Sequence, residues 1–150
     1  ATAGPERTIG YNDDSRNADA FTKDGWFLTG DIGHLDADGY LTITDRKKDI
    51  IIRGGENISS REVEECMQRH PAVLEAAAVA MPDARLGEKV CIVVVLGPSM
   101  TLDMHMVAEH FAQSGLAKQK TPERIVEIEA LPRNAAGKVQ KEVLRKNLQA

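Results

Sequence analysis

Asp-Arg-Lys-Lys-Asp-Ile-Ile-Ile-Arg-Gly-Gly-Glu-Asn, residues 45–57, is the stretch from which the organisation of this chain can be inferred. Five charged residues, 45–49, stand directly before three isoleucines, and the pair Gly54-Gly55 follows shortly after. Because β-branched residues favour strands, the stretch predicts a charged joint that leads into a buried strand over 49–52. At the glycine pair the backbone can take positive φ or lie close to another molecule. Taken alone, the pattern is equally typical of an ordinary surface hairpin.

The rest of the chain contains further strand and helix patterns. Upstream, apolar residues alternate with threonines after the turn Ala37-Asp38-Gly39, which predicts a β-hairpin. Downstream, Ser59 and Glu62 form a capping box at the start of a helix that Pro71 ends. The other predicted elements are a short helix near 16–21, strands over 73–80, 89–96 and 124–128, and helices over 103–114 and 140–148. Two or three strands with helices packed on one side predict an α+β domain.

Bulk composition excludes several classes of protein. A length of 150 residues suits one compact domain, and a net charge of −4 gives no electrostatic basis for binding nucleic acid or an anionic membrane. The longest apolar run, from Val90 to Leu96, is too short to span a bilayer, and the N-terminus lacks a signal-peptide pattern. We therefore expect a cytoplasmic protein without a transmembrane segment or a nucleic-acid partner. The abrupt, polar beginning suggests a piece cut from a longer protein.

Neither the cysteines nor the histidines form a metal-binding or catalytic pattern. Cys66 and Cys91 occupy apolar positions of the periodic pattern, which favours reduced core residues, with a disulfide as the alternative. His70 falls at the end of a predicted helix, and none of the 4 histidines has a partner pattern. We therefore predict structural or solvent-exposed roles for the histidines and no metal site.

Four short motifs, in order and at characteristic spacing, carry a resemblance to a known family. They are Phe27-Leu28-Thr29-Gly30-Asp31, Asp45-Arg46, Gly54-Gly55-Glu56-Asn57-Ile58 and Gly137-Lys138. Together they resemble the C-terminal region of acyl-CoA synthetases, within the adenylate-forming (AMP-binding) family that also contains luciferases and the adenylation domains of peptide synthetases. The resemblance extends from about Gly10 to Leu148. It implies that residues 1–47, with the hairpin, end a large N-terminal domain and that residues 48–150 form a small, mobile C-terminal lid.

The resemblance also implies an activity for the full-length protein. Enzymes of this family activate a carboxylic or fatty acid with ATP, which releases pyrophosphate and forms an acyl-adenylate. They then pass the acyl group to coenzyme A and release AMP. The expected partners are the acid, ATP, coenzyme A and a missing N-terminal domain, which would also bind most of the Mg²⁺ that accompanies ATP. The family's phosphate loop, adenine pocket and acyl pocket lie in that domain, so the fragment alone is expected to be inactive.

Lys138 is the predicted catalytic residue. Adenylation brings together two anions, the carboxylate and the α-phosphate, and needs positive charge held where negative charge accumulates. A lysine ammonium is a compact charge that can bridge such oxygens. We expect the preceding Asn-Ala-Ala-Gly loop to be flexible, so that the ammonium can reach a site on another domain. The alternative is an ordinary surface lysine, and Val139 in place of Ser or Thr excludes a P-loop.

Three further residues are assigned to the nucleotide by resemblance. Asp31 would accept hydrogen bonds from the ribose hydroxyls, since a carboxylate only accepts. Arg46 would contact the nucleotide, and Asn57 would face the ATP phosphates in the adenylating arrangement. The alternatives are an exposed turn aspartate at Asp31 and a salt bridge from Arg46 to Asp45 or Asp49.

Acyl transfer in this family follows a rotation of the lid. Lys48 occupies the position of the family's hinge residue, where the backbone torsion matters more than the side chain. Gly54, Gly55 and Glu56 resemble the loop that lines the tunnel for the pantetheine chain of coenzyme A after the rotation. Three basic residues are candidate contacts for the phosphates of coenzyme A, namely Arg53, Lys118 and Lys120.

Two other functions are compatible with the same sequence. A free-standing adenylating enzyme would load a carrier protein, and a comparison of coenzyme A with a carrier as acceptor distinguishes it. A non-catalytic α+β interaction module would share the fold, but it would have no physical need for Asp31, Arg46 and Lys138 together. The Arg-Gly-Gly-Glu-Asn segment resembles acyl-CoA and fatty-acid ligases more than peptide synthetases.

Overall fold

The structure is a computed structural model that describes residues 1–149, with the side chain of Gln149 left out. The chain divides into two units, one of residues 1–48 and one that begins at Asp49. Two sheets and four α-helices in the described residues confirm the predicted α+β class.

A β-hairpin is the main element of the first unit. Strand β1, Asp31–Leu35, pairs antiparallel with β2, Leu41–Arg46, which confirms the predicted hairpin. The Asp36 carboxylate holds the turn, because it accepts hydrogen bonds from the N–H groups of Asp38 and Tyr40. Before the hairpin lie a single 3₁₀ turn, Asp14–Arg16, and the short helix α1, Asn17–Ala20.

The second unit contains a five-stranded sheet, which corrects the prediction of two or three strands. The strands are β3 Ile51–Arg53, β4 Glu56–Ile58, β5 Val73–Asp83, β6 Gly87–Leu96 and β7 Arg124–Glu127. They lie in the order β4-β3-β6-β5, and β7 runs parallel to β6. The predicted number was too low because the strand expected at 49–52 was not counted in this sheet, and because β4 is only three residues long, too short for a period of two to be recognised in the sequence.

The charged joint ends later than predicted. Residues Lys47–Asp49 form a 3₁₀ turn, and β3 begins only at Ile51. Ile51 is fully buried, whereas Ile52 is 54% exposed. Successive residues of a strand point to opposite faces, so only one of these two isoleucines reaches the core. The expected buried strand over 49–52 is therefore wrong in its bounds and only partly buried.

Helices cover both faces of the second sheet, and not one face as predicted. On one face, α2 (Ser60–Met67) and α3 (Met104–Gln113) pack against alternate residues of β5 and β6. On the other face, α4 (Lys141–Gln149) packs through Leu144 against the intervening residues. Because β5 and β6 are apolar at almost every central position, both of their faces require cover.

Side-chain caps fix the starts of α2 and α3. Ser59 Oγ accepts from the N–H of Glu62 at 3.3 Å, and Asp103 Oδ1 accepts from the N–H of Met106 at 2.8 Å. These contacts satisfy backbone donors that the first turn of a helix leaves unpaired. The cap at Ser59 confirms the predicted helix start. The carboxylate of Glu62, however, contacts Lys120 Nζ at 2.6 Å.

Both cysteines are free and buried, as the sequence predicts. Cys66 belongs to the core on the α2–α3 face of the sheet, and Cys91 belongs to the core on the α4 face. The sheet itself therefore separates the two thiols. Burial raises the pKa of the Cys91 thiol to about 11. At neutral pH this thiol stays protonated and is a poor nucleophile.

His70 couples the stability of the second unit to pH. Its ring is 9% exposed and lies 5.1 Å from the ring of His110, and its Nδ1 accepts from the N–H of Ala72 at 3.2 Å. Burial, and then the charge of His110, lower the pKa of His70 below its ordinary value. The unfolded chain consequently binds this proton more readily than the folded chain. The stabilisation is complete above about pH 6.5 and is lost as the pH falls through the unfolded pKa toward the folded one.

Replacing His70 with asparagine should therefore reduce the loss of stability in acid. The amide oxygen of His70→Asn can still accept from the Ala72 N–H but does not titrate. We expect the thermal midpoint of this chain to fall less between pH 7.5 and about pH 5 in the variant than in the wild type. His105→Asn, at an exposed position on α3, is the control. Identical midpoint shifts in all three proteins would contradict the assignment.

Candidate functional site

Asp31 and Arg46 face each other across the first hairpin. The register of β1 and β2 pairs the two residues, and Arg46 Nε lies 3.1 Å from Asp31 Oδ1. The same guanidinium donates through Nη2 to the carbonyl of Thr29 at 3.0 Å. The side chains of Arg46 and Asp31 are 40% and 32% exposed, so a ligand can reach the pair. A carboxylate has several acceptor positions, and the ion pair leaves capacity for hydroxyl donors.

Gly33 and Gly30 occupy positions of the first hairpin that a larger residue would not fit without strain. A Cβ at Gly33 would lie 2.4 Å from the carbonyl oxygen of Thr42, so no larger residue can occupy that position without movement of the backbone. Gly30 has a φ of +74°, and its carbonyl accepts from the N–H of Lys47 at 2.7 Å. The turn that carries Asp31 is thereby tied to the end of β2.

Gly54 and Gly55 form the two-residue turn between β3 and β4. Their φ values are +58° and +88°, and Arg53 pairs with Glu56 across the turn. Positive φ at both central positions is what the preferred hairpin turns require, and glycine adopts it without steric cost. The turn geometry alone therefore accounts for both glycines. Glu56 and Asn57 follow directly on β4 and are both exposed.

Lys138 lies in a closed hairpin, within the segment for which flexibility stays a prediction. Arg133 and Val139 form an antiparallel bridge at its base. The N–H of Asn134 donates to the Lys138 carbonyl at 3.0 Å, and Asn134 Oδ1 accepts from the N–H groups of Ala136 and Lys138 at 3.1 and 2.9 Å. The Lys138 side chain is exposed, and over residues 1–149 its ammonium has no hydrogen-bond or ion-pair partner.

Lys48 is the last residue of the first unit and lies in the 3₁₀ turn Lys47–Asp49. The next residue, Asp49, is buried and accepts from Arg145 Nη2 of α4 at 2.7 Å. The first residue of the second unit is thus fixed to its last helix, directly after the predicted hinge. Sequence reasoning missed this pair. The only signal for it was the basic face of α4, on which Lys141 and Arg145 are four residues apart.

Two of the three candidate phosphate contacts already have carboxylate partners. Arg53 donates to Glu123 Oε1 at 3.0 and 2.7 Å, and this hydrogen bonding raises the pKa of Arg53. Lys120 pairs with Glu62 at 2.6 Å. In the part of the chain that the structure describes, Lys118 is the one of the three without such a partner. It lines a cavity of about 700 Å³ that Arg53, Glu123 and Phe111 also line.

The described residues offer neither a metal cluster nor a membrane span. No group of three or more His, Cys, Asp or Glu residues within 1–149 is placed to bind a metal ion. Over the same residues, no helix has both the length and the apolar character needed to cross a bilayer.

The predicted site residues are best described unit by unit. In the first unit the structure brings Asp31 and Arg46 into contact. In the second unit it holds residues 54–57 in one hairpin, and the Lys138 ammonium has no hydrogen-bond or ion-pair partner within the described residues of that unit. Sequence reasoning missed Glu75 and Arg133, whose side chains contact each other at 2.6 Å next to the Lys138 hairpin. An acidic residue within the otherwise apolar stretch 73–82 was the available signal for Glu75.

Comparison with known proteins gives a consistent family match. The profile of the AMP-binding enzyme C-terminal domain matches residues 62–138. The chain is 49% identical over 150 residues to a medium-chain fatty-acid–CoA ligase of Escherichia coli, covering 99% of this chain and 26% of that protein. It is 46% identical over 123 residues to a sulfoacetate–CoA ligase of Cupriavidus necator, covering 82% of this chain and 24% of that protein.

A solved structure extends the match to three dimensions. The chain superposes with a TM-score of 0.81 on the crystal structure of ATP-bound MatB from Rhodopseudomonas palustris, with 38% identity over 91% of this chain and 27% of that one. The chain spans about a quarter of the length of the curated relatives that it matches.

Proposed function

Because this chain belongs to the AMP-binding enzyme family, we propose that it is the C-terminal part of an ATP-dependent acyl-CoA ligase. The full-length enzyme would convert a carboxylic or fatty acid, ATP and coenzyme A into acyl-CoA, AMP and pyrophosphate through an acyl-adenylate. The observation that carries the proposal is the 49% identity to a medium-chain fatty-acid–CoA ligase over 99% of this chain. The second relative is a sulfoacetate–CoA ligase, so the acid itself is left open.

In the proposed adenylation step, Lys138 supplies positive charge between the acid carboxylate and the α-phosphate. Its exposure and its unpaired ammonium within residues 1–149 support this role, because a charge committed to an ion pair would be unavailable. Asp31 would accept from the ribose hydroxyls, and Arg46 would contact the nucleotide while it orients Asp31. Asn57 would face the ATP phosphates from the exposed strand β4.

For the thioester step we propose a rotation about Lys48, with residues 1–47 as the end of the large domain and 48–150 as the lid. The division of the chain into two compact units next to this residue supports the proposal. Exposed apolar side chains on the first hairpin, such as Leu35 at 69% and Leu41 at 61%, also suit a segment that packs against the rest of a large domain. Gly54, Gly55 and Glu56 would then line the passage of the pantetheine chain.

ATP, coenzyme A and Mg²⁺ are the proposed cofactors of the full-length enzyme. The described residues contain no carboxylate cluster suited to Mg²⁺, so we assign the ion, with the ATP phosphates, to the domain outside this chain. Bound there, the ion would neutralise phosphate charge. Two free, buried cysteines suit a reducing compartment, and we propose a cytoplasmic location and a role in fatty-acid metabolism.

The decisive experiment is ATP–pyrophosphate exchange by the full-length protein. We expect exchange that depends on a carboxylic acid, tested with medium-chain fatty acids and with small acids such as sulfoacetate. Coenzyme A should then accept the acyl group in preference to a carrier protein. The 150-residue chain alone should give no exchange, since the phosphate loop is expected upstream. Transfer only to a carrier would support the loading enzyme, and a full-length protein without acid-dependent exchange would support a non-catalytic module.

A further inference from the structure

We propose that Glu75 and Arg133 are positioning residues that hold Lys138 in place for acyl-adenylate formation. This inference rests on the proposed function, in which Lys138 supplies charge to that step. Arg133 Nη2 donates to Glu75 Oε2 at 2.6 Å, and Arg133 Nη1 donates to the carbonyl of Gly137 at 2.7 Å. One planar guanidinium therefore connects strand β5 to the residue directly before Lys138.

Regular alternation places Glu75 on the face of β5 that carries α4 and the Lys138 hairpin. From Glu75 onward, β5 pairs with β6 without a register shift, and Ala77 and Val79, two and four residues further on, belong to the core on the α4 face. A β-bulge at Leu74 comes just before this segment, and it turns Val73 to the opposite core. The direction of the Glu75 side chain is therefore set by the regular part of the strand.

Apolar packing supports the hairpin only in part. Leu131 and Val139, at its two ends, join the core on the α4 face. Between them and the edge of β5 lies a cavity of about 280 Å³, which Glu75 and Arg133 also line. Close packing normally fixes a segment in one position, and the side of the hairpin that faces this open groove lacks such packing. The Glu75–Arg133 contact supplies a polar constraint at the place where the packing is incomplete.

Because the Glu75–Arg133 pair is exposed, its replacement can test a positioning role without unfolding the protein. The side chains of Arg133 and Glu75 are 45% and 40% exposed, and exposed ion pairs contribute little to stability. A second ion pair, between Lys141 Nζ and Glu64 Oε1 at 2.6 Å, holds the start of α4. The side chains of both residues are only 16% exposed. Loss of that largely covered pair would destabilise the fold more than loss of an exposed pair. Glu75 and Arg133 are therefore the residues whose replacement should change catalysis without unfolding the protein.

The experiment uses Glu75→Gln and Arg133→Lys in the full-length protein. Glu75→Gln removes the charge of the partner, and Arg133→Lys keeps the positive charge but lacks the planar fork that makes both contacts. We expect acyl-adenylate formation to slow by about tenfold in each, because misplacement of a catalytic group is costly. Thioester formation from a supplied acyl-adenylate should be unchanged, and the thermal midpoint should move by about 2 °C or less.

A further measurement, which does not depend on enzyme activity, tests whether the hairpin itself is held. Amide hydrogen exchange of a peptide that covers residues 132–139 should become faster in both variants. Glu142→Gln is the matched control, because it removes one carboxylate from an exposed ion pair with Lys146 on α4. This control should resemble the wild type in all four measurements.

Several outcomes would overturn the inference. These are unchanged adenylation in both variants, equal losses in the two half-reactions, and losses that follow a large fall in the thermal midpoint. Faster exchange with unchanged adenylation would also overturn it, because the contact would then be merely structural. A wild-type protein without adenylation would refute the proposed function instead. In that case, faster exchange in the two variants would still establish that Glu75 and Arg133 hold the hairpin.

Discussion

Replacement of Lys138 by alanine should slow acyl-adenylate formation by the full-length protein by about 10²-fold or more, the usual effect of removing one preorganised charge. The ammonium is exposed and, within residues 1–149, has no partner, so the substitution removes charge without breaking an ion pair. Thioester formation from a supplied acyl-adenylate should be largely unaffected, because Lys138 acts in only one of the two proposed arrangements. Single-turnover release of pyrophosphate and formation of acyl-CoA measure the two steps separately.

A control distinguishes this effect from a general loss of surface charge. Lys146→Ala on α4 removes another exposed ammonium, one that is already paired with Glu142 at 3.2 Å. Both half-reactions should remain at the wild-type rate in this variant. Equal losses in the two half-reactions of Lys138→Ala would contradict the assignment. Acylation of Lys138 also removes its charge and should inhibit adenylation in the same way.

The local chemistry of the fold could be predicted from the sequence. The cap at Ser59, the turn at Gly54-Gly55 and the hairpin around Ala37-Asp38-Gly39 each follow from residue types whose preferences act over a few positions. The strong apolar patterns of β5 and β6 likewise predicted these two strands. Such features need no knowledge of the rest of the chain.

Features set by tertiary contacts could not be predicted. The ion pair of Asp31 with Arg46 depends on the register of β1 and β2, which a bulge next to Gly33 shifts by one residue. The position of α4 on its own face of the sheet depends on which side of β5 remains uncovered. Likewise, Glu75 meets Arg133 only because the Lys138 hairpin packs on the same face of β5, and 58 residues separate the two in sequence. Periodicity identifies elements, but it does not state which of them pair.

Replacement of Lys48 by proline should trap one arrangement of the two proposed domains. Proline fixes φ near about −65° and also disfavours helical torsions at the preceding residue. The substitution therefore acts on the 3₁₀ turn Lys47–Asp49, where the chain divides into its two units. We expect single-turnover release of pyrophosphate to persist, because the acid and ATP can hold the lid in the adenylating arrangement. Thioester formation, which requires different torsions at this residue, should be almost abolished.

Lys48→Ala is the matched control, because it removes the charge and keeps the torsional freedom. Both half-reactions of this variant should remain within roughly tenfold of the wild type, a difference of about 1.4 kcal/mol in activation free energy. Asp49, the next residue, is paired with Arg145 of α4 at 2.7 Å, so neither substitution at Lys48 removes the contact that holds the start of the second unit to its last helix. If the alanine and proline variants behave alike, the side chain of Lys48 matters and its torsion does not. The hinge, and with it the proposed boundary between residues 47 and 48, would then lie elsewhere.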